Sequence, residues 1–292
     1  MPQLISVGQI IDQTWEHYHK KFRELISISA WMLLPCIISI ISIIFYPKAT
    51  TLLANRSLSV TEITSLVIWV VNNGVLAPII GLWVFIMTVR LLCAHWEKRG
   101  VDFGKIMKEG WKFFLPAVLI NALVAIILFA FWLLIVPGPL VSWLGDKINI
   151  SFISQFGVLL TFAGILAAFV LTMEWVVYLA YAPLALLIED QRGKKALQRS
   201  SDLIHGRYWP GLIRFLLPKL IFVLILVIIE GLVVFLINLA ITYLTGLNTE
   251  LAATLQTISS TLFLTIGTIL INPLVVTSDF LLFDSLRATF RK

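Results

Sequence analysis

The chain has 292 residues, of which 59% are hydrophobic and only 13% charged, with a mean hydropathy of +0.96 and a formal net charge of +6. A soluble domain carries roughly 25% charged residues to cover its outside, so water is excluded as the main solvent and lipid takes its place. Nineteen of the 22 Lys and Arg residues fall on alternate connections between apolar runs, which makes the basic excess a topology signal rather than a nucleic-acid footprint.

The N-terminal arm comes first in chain order. Val7-Gly8-Gln9-Ile10-Ile11 leads to Trp15, Tyr18 and Phe22, an apolar stripe at helical steps that predicts an amphipathic helix lying in the membrane interface. The apolar run that follows Asp12, Glu16 and Glu24 is longer than a secretory core and has no small-residue cleavage site, so it reads as an uncleaved membrane helix. At ~1.5 Å per residue, about 20 residues cross the hydrocarbon layer. Spans are predicted at about 25–47, 66–92, 113–136, 156–188, 212–245 and 251–283, all within a single integral membrane domain, 1–292. Asn72-Asn73-Gly74 marks either the outer start of the second span or a break within it. The third span should stop at Pro137-Gly138-Pro139, where two prolines flank a glycine. The fourth passes Glu174 and reaches Ile188 as an unusually long helix or a kinked one. Cys36 sits inside an apolar run and Cys93 beside a basic segment, which argues against a structural disulfide.

Orientation follows from the basic residues. Lys20, Lys21 and Arg23 lie on the arm; Arg90, Lys98, Arg99, Lys105, Lys108 and Lys112 on the second connection. Arg192, Lys194, Lys195, Arg199 and Arg207, with Arg214 and Lys219, follow on the fourth, and Arg287, Arg291 and Lys292 end the chain. Only Lys48, Arg56 and Lys147 fall on the other side. Both termini are therefore expected in the cytoplasm, with the bilayer and its anionic headgroups as partners and no nucleic acid.

Three cytoplasmic segments echo one another. Phe103-Gly104-Lys105-Ile106-Met107 leads to Trp111 in the register of the N-terminal arm, and Lys194-Lys195-Ala196-Leu197 leads to Leu203, Ile204 and Tyr208 as a weaker copy. The outward spans carry Pro35, Pro116 and Pro218, and the returning spans Pro78, Pro183 and Pro273. An interfacial helix, an outward span and a returning span used three times would arise by duplication.

At these residues the chain resembles a bacterial six-helix membrane family that includes the membrane domain found with glycerophosphoryl diester phosphodiesterases. The likeness rests on Gly8-Gln9-Ile10-Ile11-Asp12 with Tyr18, Phe22 and Pro35 at the entry. In the middle it rests on Ala196, Leu197, Ser200, Leu203, Gly206 and Trp209, and at the exit on Pro273, Leu282, Phe283, Asp284, Leu286 and Arg287. The exit has Phe283 where the family usually has Tyr. What the resemblance implies is a fold and a location more than an activity, because the phosphodiesterase chemistry belongs to a separate barrel domain. The cytoplasmic stretches here are too short for a barrel of ~250 residues.

No nucleophile elbow, phosphate-cradling glycine loop or metal-ligand spacing is present, and His17, His19, His95 and His205 have no Cys or carboxylate at metal spacing. An intramembrane hydrolase would need a paired Ser/Lys, Asp/Asp or His/Glu motif, which is also missing. Glu174 and Glu230 stand apart, since a charge at mid-membrane costs on the order of 2.5–3.5 kcal/mol or more. Counted along continuous helices, Glu174 lies roughly 20 Å and Glu230 roughly 17 Å above the cytoplasmic ends of their spans. With Asn121 and Asn238 they form the candidate intramembrane polar site. A coupling site usually brings more polar residues, so protonated carboxyls bonded to a neighbouring side chain or carbonyl are the simpler account.

The sequence thus predicts an all-α polytopic membrane protein, six transmembrane helices in a bundle with three cytoplasmic interfacial helices and a threefold internal repeat. It predicts no enzyme, no catalytic residues, no cofactor and no metal. The expected role is a binding or scaffold module of the inner membrane tied to envelope or lipid physiology, with an envelope or membrane protein as a further partner. A small proton- or cation-linked transporter or channel is the alternative.

Overall fold

The computed structural model describes residues 4–47, 57–98, 100 and 102–290, so Lys48, Arg56, Arg99, Arg291 and Lys292 lie outside the described residues. Every regular element among the described residues is helical. In order they are α1 (Val7–Lys20), α2 (Phe22–Ser29), α3 (Leu33–Ile44), α4 (Val60–Val71), α5 (Ala77–Trp96), α6 (Phe103–Trp132), α7 (Pro137–Lys147), α8 (Ser151–Leu179), α9 (Ala182–Glu189), α10 (Lys194–Ile204), α11 (Tyr208–Thr245) and α12 (Thr249–Phe290). Short 3-10 turns join α2 to α3 and α6 to α7, and a π turn, Asn72–Leu76, joins α4 to α5. Among the described residues six helical stretches are long and apolar enough to cross a membrane: Phe22–Ile44, Val60–Trp96, Phe103–Lys147, Ser151–Glu189, Tyr208–Thr245 and Thr249–Phe290.

Two compact units make up the chain. The first combines Ile5–Trp111 with Arg214–Leu282. Its arm starts at a capping box: Ser6 Oγ accepts the Gln9 amide at 3.2 Å while Gln9 Oε1 accepts the Ser6 amide at 3.0 Å. Ile10, Thr14 and Tyr18 are buried along one side of α1, and Asp12, Gln13 and Glu16 face outward. A second capping box, Ser59 with Glu62, opens α4. Polar clasps then hold α3 to α4. Ser42 Oγ donates to the Ser65 carbonyl and Ser65 Oγ to the Ser42 carbonyl, each at 2.8 Å. Asn72 Nδ2 donates to the Pro35 carbonyl at 2.9 Å and to Ser39 Oγ at 2.8 Å. In an apolar surround such bonds have no water to compete with them.

Asn72-Asn73-Gly74 is a break within the helix rather than its outer start. Pro78 lacks an amide hydrogen, and the ladder widens to i→i+5 spacing over the preceding turn. Glycine also sets a helix approach in this unit. Gly110 has no Cβ, and one placed there would lie 2.7 Å from Met87 Sδ on α5.

The second unit joins Lys112–Ile213 to the end of the chain from Phe283. Here the expected stop at Pro137-Gly138-Pro139 does not occur. Helix α6 passes through one 3-10 turn into α7, with Pro137 in the first turn of α7, where its missing amide costs little. The chain turns later, at Ile148–Ile150, with Asn149 in the left-handed region at φ +55°. Helices α7 and α8 then pack antiparallel, backbone against backbone. A Cβ on Gly138 would overlap Thr161, one on Gly145 the backbone of Ser154, one on Gly157 that of Ser142, and one on Gly164 the Leu134 carbonyl. Gly138 therefore serves close helix approach, not a turn, as small residues do at membrane helix interfaces.

A further difference concerns residues 103–111, expected as a separate interfacial helix. They run without a break into the third span as the start of α6, because no helix breaker separates them and Pro116 is accommodated inside the helix. Ile106, Gly110, Phe113, Ala117 and Ile120 are buried along one side of this continuous helix.

Candidate functional site

In the second unit the fourth span settles into a kinked form, broken at Ala180–Tyr181 just before Pro183. The proline cannot donate to the Leu179 carbonyl, and the helix break just before it is bridged from another helix. Ser200 of α10, wholly buried, donates from Oγ to the Tyr178 carbonyl at 2.6 Å and accepts the Tyr181 amide at 3.1 Å. Ala196 and Leu203 are buried beside it, Leu197 is half-buried, and Gly206 ends the segment at φ +74°, where a side chain would be strained. Trp209 is 69% exposed and Asp284 is also exposed.

Arg287 has a partner the sequence did not indicate. Glu189, at the end of α9, takes a two-pronged hydrogen bond from Arg199, Nε to Oε2 at 2.7 Å and Nη2 to Oε1 at 3.0 Å. Arg287 Nε approaches the same carboxylate at 3.3 Å. The Phe290 ring stacks near the Arg199 guanidinium, 4.9 Å from its centroid, and Arg207 donates to Thr289 Oγ1 at 2.8 Å. The hydrogen bonds that Arg199 donates to Glu189 raise its already high pKa. Glu189, Arg199 and Arg287 face an open depression of about 570 Å³, which Gln191, Gln198, Lys195 and Asp202 complete.

The four predicted intramembrane polar residues divide between the units. Asn121 and Glu174 belong to the second. Asn121 is exposed and donates to the Ala117 carbonyl of its own helix at 2.9 Å. Glu174 is exposed and within electrostatic reach of Tyr208, whose ring packs 5.7 Å from that of Tyr178. A depth counted along an unbroken helix to Ile188 no longer applies to Glu174, because the break at Ala180–Tyr181 removes α9 from the count.

Glu230 and Asn238 belong to the first unit, on α11. The Glu230 carboxyl is half-buried and rests over Gly267 of α12, where a Cβ would lie 2.5 Å from Oε2 and 3.2 Å from Leu226 Cδ2. Asn238 is half-buried, and its Oδ1 has no hydrogen-bond partner.

Two charged clusters in the first unit had no sequence signal. Lys219 Nζ and Asp279 Oδ1 pair at 2.7 Å between α11 and α12, with side chains only 19% and 17% exposed. Lys219 also lies over the Phe215 ring. Each residue had the look of a charge at the end of a span, because Lys219 follows Pro218 and Asp279 follows the apolar run Leu251–Ser278; both helices run on past them. The second cluster joins the arm to the first two spans. His95 Nε2 meets Glu24 Oε2 at 2.6 Å, and His95 Nδ1 lies 3.3 Å from His17 Nε2. Burial first, then the charges of His95 and Lys21, lower the His17 pKa to about 4, against a smaller opposing pull from Glu24. No group of three or more His, Cys, Asp or Glu among the described residues could hold a metal ion.

The first unit also has an apolar groove of about 360 Å³. Trp15 and Tyr18 of α1 line one side, with Phe222 and Leu226 of α11 and Leu270 and Leu274 of α12. The antiparallel seam of α11 and α12 carries Lys219 against Asp279 at one end of this apolar stretch and Glu230 against Gly267 at the other. Eleven residues separate Lys219 from Glu230, a rise of roughly 17 Å. Comparison with protein-family models, with curated proteins and with solved structures finds no match to this chain.

Proposed function

We propose that this chain is a non-catalytic, multi-pass protein of the bacterial inner membrane, both termini cytoplasmic, that acts as a membrane-embedded binding module in envelope or lipid physiology. In this reading α1 and α10 lie in the cytoplasmic interface as amphipathic helices, and the start of α6 is a third copy fused to its span. The resemblance to the six-helix family and the threefold repeat by duplication belong to the same reading. The observation that carries it is the apolar groove beneath Trp15 and Tyr18.

Its occupant is an acyl chain of a bilayer lipid. The groove is continuous with the outer face of α11, where Leu224, Ile225, Ile228 and Ile229 are each more than half exposed, and lipid tails are what cover such a face. Native mass spectrometry of the full chain released from mild detergent tests this directly. Wild type should retain phospholipid, and Leu226→Trp, which fills the groove, should lose it. Equal retention by both would refute the assignment.

Proton- or cation-linked passage is the second reading, favoured by the pair Lys219–Asp279 on two helices long enough to span a membrane. Liposome flux that falls and loses its pH dependence in Glu230→Gln would establish it; unchanged flux would remove Glu230 from that role.

A further inference from the structure

In the second unit, we infer that the depression at the junction of α9, α10 and the end of α12 is a binding site for a phosphate ester. Glu189 orients two guanidinium groups at once, so one carboxylate is shared by two cations and does not neutralise them. With Lys195 and Asp202 at its edge, the lining carries three positive and two negative side chains, a net charge of +1. Arg199 spends Nε and Nη2 on Glu189, which leaves Nη1 available, and Arg287 spends only Nε. At 19% and 29% side-chain exposure these guanidinium groups are held in place while keeping open donor edges. Gln191 and Gln198 add neutral amide donors to the same depression.

Two guanidinium groups, one ammonium and two amides offer more donors than the two oxygens of a carboxylate can take, whereas a phosphate ester brings three free oxygens, and forked Arg donors suit phosphate geometry. The 570 Å³ of space exceeds what one phosphate group fills, which leaves room in the open part of the depression for the substituent of a phosphate ester. This site does not depend on the acyl groove, which lies in the other unit.

Phosphate esters reach such a site either as a lipid headgroup or as a soluble compound. The test uses the purified full chain in neutral detergent micelles and follows the thermal unfolding midpoint. One series adds phosphatidylglycerol to the micelles; the other adds inorganic phosphate, with chloride at matched ionic strength as the reference. Saturable stabilisation by phosphatidylglycerol alone identifies a lipid source, and by inorganic phosphate as well a soluble one. Arg287→Gln should weaken the apparent affinity about tenfold, the loss of one charge-assisted hydrogen bond. Because Arg287→Gln also loosens the Glu189 pairing, the exposed Lys195→Gln provides the second variant, with a smaller weakening in the same direction. Stabilisation by neither probe, or stabilisation equal in wild type and both variants, overturns the site.

Discussion

Removing either partner of the Lys219–Asp279 pair should cost far more than removing both. The Nζ–Oδ1 separation is 2.7 Å and both side chains are more than four-fifths buried, so neither charge has water to fall back on. Lys219→Met leaves a carboxylate in the apolar seam, and Asp279→Leu leaves an ammonium there with only the Phe215 ring beside it. Breaking a buried pair from one side costs about 3–5 kcal/mol, whereas exchanging the whole pair for apolar side chains of similar volume is often neutral. Each single variant should therefore lower the folded-to-unfolded ratio by about two to three and a half orders of magnitude, since ~1.4 kcal/mol is tenfold. The double variant Lys219→Met/Asp279→Leu should recover most of that loss. Unfolding by denaturing detergent in mixed micelles gives all four corners of the cycle. A coupling energy below about 0.5 kcal/mol, the level of independent sites, would refute the claim that the two helices meet through a desolvated ion pair.

Three other outcomes follow from particular contacts. Gly157→Val and Gly145→Val should each destabilise the α7–α8 hairpin by about 1–3 kcal/mol or more through overlap with Ser142 and Ser154, read as a lower melting midpoint; Gly231→Ala, with open space around it, should not. Ser200→Ala should cost about 1–3 kcal/mol by leaving the Tyr178 carbonyl and Tyr181 amide without their bridge. For His17 the folded pKa of about 4 lies below the ordinary value of 6.5, so the unfolded chain takes up the proton first as pH falls. Stability relative to His17→Gln should then decline between pH 6.5 and 4 and be flat above 6.5; a constant difference in melting midpoint across that range contradicts the burial.

Much of the architecture was legible because it depends on composition and period. Six apolar stretches of sufficient length stand in the chain whatever they pack against, and the structure has helices at all six. Turns were less legible, because a breaker residue states what it cannot do and not where the chain will bend. Pro137-Gly138-Pro139 has every mark of a stop, yet Pro137 opens a new helical segment and Gly138 provides a surface for Thr161. The actual turn falls at Asn149, a residue that tolerates the left-handed region nearly as glycine does.

The polar sites were the hardest to read, for a physical reason. A charged side chain announces itself in sequence by interrupting an apolar run, so Glu174 and Glu230 drew attention, while Lys219 and Asp279 were hidden at the edges of runs. Burial is decided by the partner, not by the neighbours in sequence: 60 positions separate Lys219 from Asp279, and 78 separate His17 from His95. Glu189 and Arg199 lie only ten residues apart, but their pairing needs the left-handed residues Asp190 and Gly193 to fold α10 back toward α9. Once that turn is made, Ser200 reaches the break that Pro183 creates, and Arg199 meets the carboxylate at the end of the same short helix. The proline that interrupts the fourth span and the arginines that line the depression are thus one construction, in which the helix break frees α9 to bring Glu189 within reach of both cations.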